Sequence, residues 1–128
     1  VNHILGIDDK MEYNAIPGIV YTNPEVSSVG VTEEQAQEQG IEYRVSKLPM
    51  TYAGRFVAEN EGITGLCKII TTADNKVIGA HFLGNTSSEF ICAVGMAITH
   101  KLSIEELKRT VFPHPTACEI IKEALFEL

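Results

Sequence analysis

Short apolar and β-branched runs, each closed by a turn-forming residue, alternate with polar stretches along the first two thirds of the chain. Runs of this length and composition are typical of strands, because branched and aromatic side chains pack well on a pleated surface. Ala73-Asp74-Asn75-Lys76 separates the last two runs and predicts a hairpin between them. The predicted strands are residues 19–22, residues 26–31, Tyr43–Leu48 ahead of Pro49, Leu66–Thr72 and Val77–Leu83.

Helix starts are marked by one device, the capping box, in which Ser or Thr is followed three residues later by Glu or Gln. The first predicted helix, residues 33–39, has Ala36 as its only apolar residue and is expected to lie at the surface. Residues 49–62 form a polar stretch without a predicted helix, and three helices are expected after Gly84. The four boxes are Thr32 with Gln35, Thr86 with Glu89, Ser103 with Glu106, and Thr116 with Glu119.

The helix predicted over residues 88–102 is apolar on nearly all sides. A helix of this kind is buried on two faces, either by another subunit or domain or by loops of its own chain, and periodicity does not separate these two interpretations. Its core stripe is predicted to be Phe90, Ile91, Val94, Ala97 and Ile98, and its opposite side carries Cys92, Ala93, Gly95, Met96 and Thr99.

Consecutive strands followed by consecutive helices predict an α+β fold. We expect a mostly antiparallel sheet of about four or five strands, with helices packed on one face. The 128 residues fit one domain, which we place at residues 13–128. Residues 1–12 have no strong period and are interpreted as a connector or the tail of a preceding domain. Because the chain begins with Val, we expect a fragment or a processed product.

Composition narrows the classes of function. The net charge of −7, with scattered Lys and Arg, argues against nucleic acid as a partner. No apolar run approaches the length of a membrane helix, so no membrane partner is expected. Three separated cysteines without a CxxC pair predict neither disulfides nor a metal site, and favour a reducing cytoplasmic or mitochondrial-matrix compartment. No glycine-rich dinucleotide fingerprint occurs, so we expect no cofactor bound to this chain alone.

His114 is the strongest candidate for chemistry. Pro113 and Pro115 fix the backbone on both sides of it, just ahead of the last predicted helix. Glu119 follows at a spacing that allows a carboxylate–imidazole pair, the usual arrangement of a histidine that acts as a base. The alternative is that His114 is a surface turn residue and Glu119 only the third residue of a capping box.

Other candidates are weaker. Cys118, four residues after His114, allows a Cys–His nucleophile pair, although nothing nearby supplies an obvious oxyanion site. His3, His81 and His100 are isolated in the sequence. Arg55 is either an anchor for another subunit or an ordinary surface residue.

Three segments of the chain form an ordered set of motifs: IPGIVYTNPEVSSVG at residues 16–30, VIGAHFLG at residues 77–84 and HPTACE at residues 114–119. Together they resemble the interface domain of the pyridine nucleotide-disulfide oxidoreductases, and of the dihydrolipoamide dehydrogenases in particular. The first segment resembles the opening of that domain, the second resembles a later strand, and the third is similar to the HPTxxE signature of the family.

The resemblance implies a homodimer in which His114 is the acid–base residue of the partner subunit's active site and Glu119 is its carboxylate partner. It also implies that the His114-Pro115 backbone, typically a cis peptide, approaches the partner's flavin. The full-length parent would use FAD and NAD for dithiol–disulfide oxidoreduction, with both cofactor domains and a CxxxxC redox pair in the same parent chain. A 2-oxo acid dehydrogenase complex is a further candidate partner. The fragment alone is expected to be inactive.

One departure bears on the substrate. Phe112 stands where dihydrolipoamide dehydrogenases often carry a second histidine, and glutathione and mercuric reductases have similar HPTxxE endings. The ending Phe126-Glu127-Leu128, without a cysteine pair, argues against the mercuric and thioredoxin reductase types. From a different class, a free-standing α+β dimeric binding module with a structural His114 also fits the pattern.

Overall fold

The computed structural model describes residues 1–128 and contains one five-stranded sheet whose pairs are all antiparallel. The strands lie in the order β1-β2-β5-β4-β3. Tyr43–Leu48, Leu66–Thr72 and Val77–Leu83 have the predicted bounds, and β1 and β2 begin or end one or two residues from them. The α+β prediction is confirmed. The strands are β1 Gly18–Val20, β2 Val26–Gly30, β3 Tyr43–Leu48, β4 Leu66–Thr72 and β5 Val77–Leu83.

Five α-helices accompany the sheet: α1 Glu33–Glu38, α2 Gly54–Glu59, α3 Ser87–Thr99, α4 Ile104–Lys108 and α5 Glu119–Phe126. Short 3-10 turns occupy Asn2–Leu5, Tyr13–Ala15 and Met50–Tyr52. None of these helices is long and apolar enough to cross a membrane.

Helices α3 and α5 cover one face of the sheet. Helix α3 lies over β2 and β5, and α5 lies over β4 and β3. All five residues predicted to face the core from α3 are buried, and Phe90 meets Phe82 of β5 edge-on at a centroid distance of 5.1 Å. Burial of apolar side chains between these two layers is the main stabilising contribution in such a domain. Helix α1 lies at the other face, with Ala36 fully buried, as its single apolar position suggests.

Helix α1 is joined to that second face by charges. Lys47 of β3 and Lys68 of β4 are directly opposite each other, and both contact Glu33, with Nζ–Oε1 distances of 2.9 and 3.0 Å. These contacts hold the pKa of Glu33 below its ordinary value, because hydrogen bonds from two cations stabilise the carboxylate. The single acidic side chain offsets the repulsion between two like charges on neighbouring strands.

Helix α2 lies within residues 49–62, where the sequence pattern predicts no helix, so that prediction is wrong. The helix begins at Gly54 and has Ala53 at its N-terminus with no side-chain cap, so the usual start signals are missing. Phe56, fully buried, holds it from the core side, and the Asn60 amide donates to the Phe56 carbonyl at 2.9 Å. Tertiary packing therefore overrides a weak local preference for helix.

Two of the four predicted capping boxes are complete: Thr32 with Gln35 and Ser103 with Glu106. The prediction of a capping box at Thr86 is wrong. Thr86 has a φ of 67°, and its backbone carbonyl rather than its side chain accepts from the Glu89 N–H. The Glu25 carboxylate, from the turn between β1 and β2, accepts instead from the Ser88 N–H at 3.0 Å.

Candidate functional site

His114 and Glu119 form a hydrogen-bonded pair at the start of α5. The distance from His114 Nδ1 to Glu119 Oε1 is 2.9 Å. The histidine side chain is 80% exposed, whereas the glutamate side chain is only 21% exposed. Glu119 therefore holds the His114 ring at Nδ1, while the rest of the ring is exposed.

The second carboxylate oxygen of Glu119 is also bonded. The Thr116 N–H donates to Oε2 at 2.8 Å. This backbone bond is the largest influence that holds the pKa of Glu119 below its ordinary value, and the bond to His114 acts in the same direction. Glu119 is consequently a carboxylate at neutral pH.

An ionised carboxylate accepts hydrogen bonds and donates none, so His114 Nδ1 must carry the proton in their contact. In the neutral ring, Nε2 then has the free lone pair. Because the ring is exposed, that lone pair can take a proton from a group brought to it from outside this chain. The geometry is that of an oriented base, as a histidine in acid–base catalysis requires.

The pair stands on a rigid support. Helix α5 buries Ile120, Ile121, Ala124 and Leu125 in the core. On the other side of the loop, Phe112 packs against the same core. Sites built on elements locked by packing hold their side chains in a narrower range of positions than sites on free loops. The His114-Pro115 bond is cis, as the family resemblance implies.

Thr116 does not cap α5 in the predicted way. One half of the box is present, since Glu119 accepts from the Thr116 N–H. The other half is not, because the Thr116 hydroxyl donates to the Pro113 carbonyl at 2.7 Å and Cys118 occupies the N-cap position. Glu119 therefore has both roles that the sequence left as alternatives, with one oxygen for each.

Cys118, the candidate nucleophile, is not hydrogen-bonded to His114. Its sulfur contacts the Thr116 hydroxyl at 3.2 Å, while Glu119 occupies the Nδ1 edge of His114. Cys67 is buried against α5, and burial raises the pKa of its thiol to about 12, so it remains an unreactive thiol. The structure provides no support for a Cys–His nucleophile pair.

The remaining candidates lie elsewhere. Arg55 pairs with Glu59 on the same helix. His81 Nε2 donates to the Val31 carbonyl at 3.0 Å, and its pKa is lowered chiefly by burial, which together indicate a neutral structural histidine. His3 and His100 are exposed, and no group of three His, Cys, Asp or Glu side chains is close enough to hold a metal ion.

Helix α3 presents a second notable surface. Four residues along its outer side are exposed, and Met96 has 58% of its surface accessible. The Tyr13–Ala15 turn of the same chain lies against α3, and Gly95 is buried, so the chain covers part of the side opposite the core, but it leaves this stripe exposed. We call it the α3 stripe; it consists of Glu89, Cys92, Met96 and Thr99.

Comparison with a family model matches residues 16–125 to the dimerisation domain of the pyridine nucleotide-disulphide oxidoreductases. A mitochondrial dihydrolipoyl dehydrogenase from Pisum sativum is 41% identical over 97% of this chain and 25% of its own length. A leghemoglobin reductase from Glycine max is 40% identical over 97% of the chain and 24% of its length. The chain thus spans about a quarter of these relatives.

Solved structures agree with this assignment. LpdA from Mycobacterium tuberculosis superposes with a TM-score of 0.88 at 25% identity, over 98% of this chain and 28% of that one. The HOCl-induced flavoprotein disulfide reductase RclA from Escherichia coli gives a TM-score of 0.84 at 29% identity, over 98% of this chain and 29% of that one.

Proposed function

The chain belongs to the dimerisation-domain family of the pyridine nucleotide-disulphide oxidoreductases, and we propose that its His114 serves as the acid–base residue of a dithiol–disulfide active site in the partner subunit. The observation that carries this proposal is the 2.9 Å bond between His114 Nδ1 and Glu119 in a ring that is otherwise exposed. An oriented base with an open Nε2 is suited to a group that approaches from another subunit.

The chemistry needs such a base. A thiolate, not a thiol, attacks a disulfide, so a dithiol substrate must lose a proton before it can react. His114 Nε2 takes that proton while Nδ1–H stays bonded to Glu119, and the carboxylate stabilises the imidazolium that forms. The same ring returns the proton when the reaction runs in the opposite direction.

For the full-length protein we propose FAD and NAD as cofactors, which would carry electrons between the dithiol pair and the nicotinamide. The resemblance brings only the His114-Pro115 backbone of this chain towards a flavin. Pro113, His114 and Pro115 are all exposed, which fits a backbone that faces a group in another subunit.

The partner is proposed to be a second copy of the same protein, since dimerisation domains of this family join two subunits. The α3 stripe and the segment after His114 are the surfaces we assign to that contact. Cys92, Met96 and Thr99 are exposed and uncharged, and their spacings of four and three residues place them on one helix face that another helix can cover.

The dithiol substrate is proposed to be of the dihydrolipoamide type, because several relatives at 37% to 41% identity bear the name dihydrolipoyl dehydrogenase. A 2-oxo acid dehydrogenase complex is the assembly we propose for such an enzyme. The cytosol or the mitochondrial matrix is the proposed compartment, supported by three unpaired cysteines. Residues 1–12, which bury no side chain, are proposed to be the tail of a preceding domain.

The test is turnover of the full-length protein with dihydrolipoamide and, separately, with glutathione disulfide. His114→Ala is expected to slow dihydrolipoamide turnover by about 10²–10⁴-fold, the usual contribution of general acid–base catalysis. Glu119→Gln is expected to slow it less, because the base remains. His3→Ala, the same change at an exposed histidine, serves as the matched control. Wild-type rates in both His114 and Glu119 variants would overturn the proposal.

A further inference from the structure

The loop that carries His114 has very few hydrogen bonds. Residues 111–116 make no backbone–backbone hydrogen bond, and Pro113 and Pro115 have no N–H to donate. Four bonds hold the loop: His114 to Glu119, the Thr116 N–H to Glu119, the Thr116 hydroxyl to the Pro113 carbonyl, and the Thr116 hydroxyl to the Cys118 sulfur. Three of the four involve Thr116.

Thr116 therefore joins both ends of the catalytic loop. Its hydroxyl bonds back to Pro113 at 2.7 Å, which closes the backbone around His114-Pro115. Its N–H bonds forward to Glu119 Oε2 at 2.8 Å, which fixes the carboxylate whose other oxygen receives His114. A shift of Thr116 would therefore move both the backbone that carries the His114 ring and the Glu119 carboxylate that binds the ring.

We propose that Thr116 is a positioning residue for the His114–Glu119 pair and that its hydroxyl is the group responsible. This inference rests on the proposed function of His114 and adds a residue that acts through it. Without the hydroxyl, the Pro113 carbonyl and the Cys118 thiol lose their partner, and the loop loses both bonds that do not pass through Glu119. The ring then samples positions in which Nδ1 is no longer aligned with Glu119.

The ordinary alternative is that Thr116 caps α5. The geometry argues against it, because the hydroxyl donates to Pro113 and α5 has no side-chain cap bond. Since the hydroxyl proton is used at Pro113, the contact with Cys118 at 3.2 Å is one in which the thiol donates. Capping predicts a loss of stability on mutation, whereas positioning predicts a loss of activity at nearly constant stability.

Three variants of the full-length protein separate these possibilities. Thr116→Val has nearly the same shape without the hydroxyl, Thr116→Ser keeps the hydroxyl without the methyl group, and Cys118→Ala removes only the sulfur contact. We expect Thr116→Val to lower kcat about tenfold with KM nearly unchanged, since small misplacements of catalytic groups have effects of this size. Thr116→Ser and Cys118→Ala are expected to keep kcat within about twofold.

Two further measurements make the test decisive. In the His114→Ala background, Thr116→Val should cause no further loss, because a positioning residue has nothing left to position. Nitrogen NMR of ¹⁵N-histidine-labelled protein should show the Nδ1–H tautomer of His114 in the wild type and in Thr116→Ser, and a mixture of tautomers in Thr116→Val.

The tautomer readout does not depend on catalysis. If His114→Ala proves fully active, the proposed function fails, yet the tautomer still reports whether Thr116 orients the ring. The inference is overturned if Thr116→Val keeps the wild-type tautomer, if Val and Ser variants lose activity equally, or if the loss of kcat follows a matching fall in Tm.

Discussion

The Glu25 carboxylate accepts a hydrogen bond from the Ser88 N–H at 3.0 Å, although the two residues are 63 positions apart in the sequence. A second bond runs the other way, from the Glu25 N–H to the Asn85 side-chain oxygen at 3.2 Å. Together they join the turn after β1 to the start of α3, the helix that carries the α3 stripe. The Glu25 side chain thus caps the first turn of α3 from a distant part of the sequence.

Glu25→Ala should destabilise the chain by about 1 kcal/mol, the usual effect of removing an N-cap. Glu25→Gln should have a smaller effect, because its amide oxygen still accepts. The free energy of unfolding, measured in urea, decides this. Glu38→Gln, at an exposed glutamate, is the control. An unchanged midpoint in Glu25→Ala would show that water caps α3 equally well.

Gly30 and Gly40 provide a matched test of crowding. Both have positive φ, 75° and 65°, so either change to Ala carries a backbone cost of about 1–2 kcal/mol. A Cβ on Gly30 would lie 2.1 Å from the Ile78 carbonyl oxygen, whereas one on Gly40 would have nothing within 4 Å. Gly30→Ala should therefore lose about 1–3 kcal/mol more than Gly40→Ala. Equal losses in denaturant unfolding would contradict the close approach of β2 and β5.

Met96→Lys should weaken self-association, because it places a charge in the middle of the α3 stripe. Met11→Lys is the matched control, since both methionines are exposed, at 58% and 68%, and only Met96 lies on α3. Sedimentation of the full-length protein should show a shift towards monomer for Met96→Lys alone. A dimer of wild-type affinity in that variant would place the interface elsewhere.

Glu33 makes stability depend on pH. Its pKa is lowered in the folded chain, so its contribution is present above the unfolded value and is lost as the pH falls through the folded one. The difference in unfolding free energy between wild type and Glu33→Gln should be below about 1 kcal/mol at neutral pH, as for other partly exposed pairs. It should shrink as the pH falls below the ordinary glutamate pKa, and it should vanish once Glu33 is protonated in the folded chain as well. If the difference in unfolding free energy between wild type and Glu33→Gln stays constant with pH, it does not come from the ionised Glu33 carboxylate.

Local pattern predicted much of this domain. The bounds of β3, β4 and β5 follow from apolar runs closed by turn residues, and the core stripe of α3 follows from its spacing. The His114–Glu119 pair was also available from sequence, because both residues lie on one short segment. The spacing alone left a capping box open as the alternative, and only the resemblance to the family pointed to an acid–base role for that pair.

What the sequence could not reveal depends on contacts between distant segments. Phe56 anchors α2 by packing close to Gly84: a Cβ added to Gly84 would lie 2.9 Å from the Phe56 ring. The two residues are far apart in the sequence, so the residues around Phe56 do not reveal this contact. The cap of α3 comes from Glu25 and not from the nearby Thr86. The direction of the Thr116 hydroxyl was equally hidden, since the same Thr-x-x-Glu spacing occurs whether the hydroxyl caps the helix or bonds back to Pro113.

Mixed dimers test whether His114 acts in the active site of the partner subunit. Full-length His114→Ala subunits would be co-assembled in equal amounts with subunits whose redox-active cysteines, expected from the family resemblance, are changed to Ser. Each parent dimer should be nearly inactive with dihydrolipoamide. Random pairing in a two-fold dimer makes half of the dimers mixed, each with one complete site, so about a quarter of wild-type activity should return. If the mixture stays as inactive as its two parents, His114 does not act across the subunit boundary.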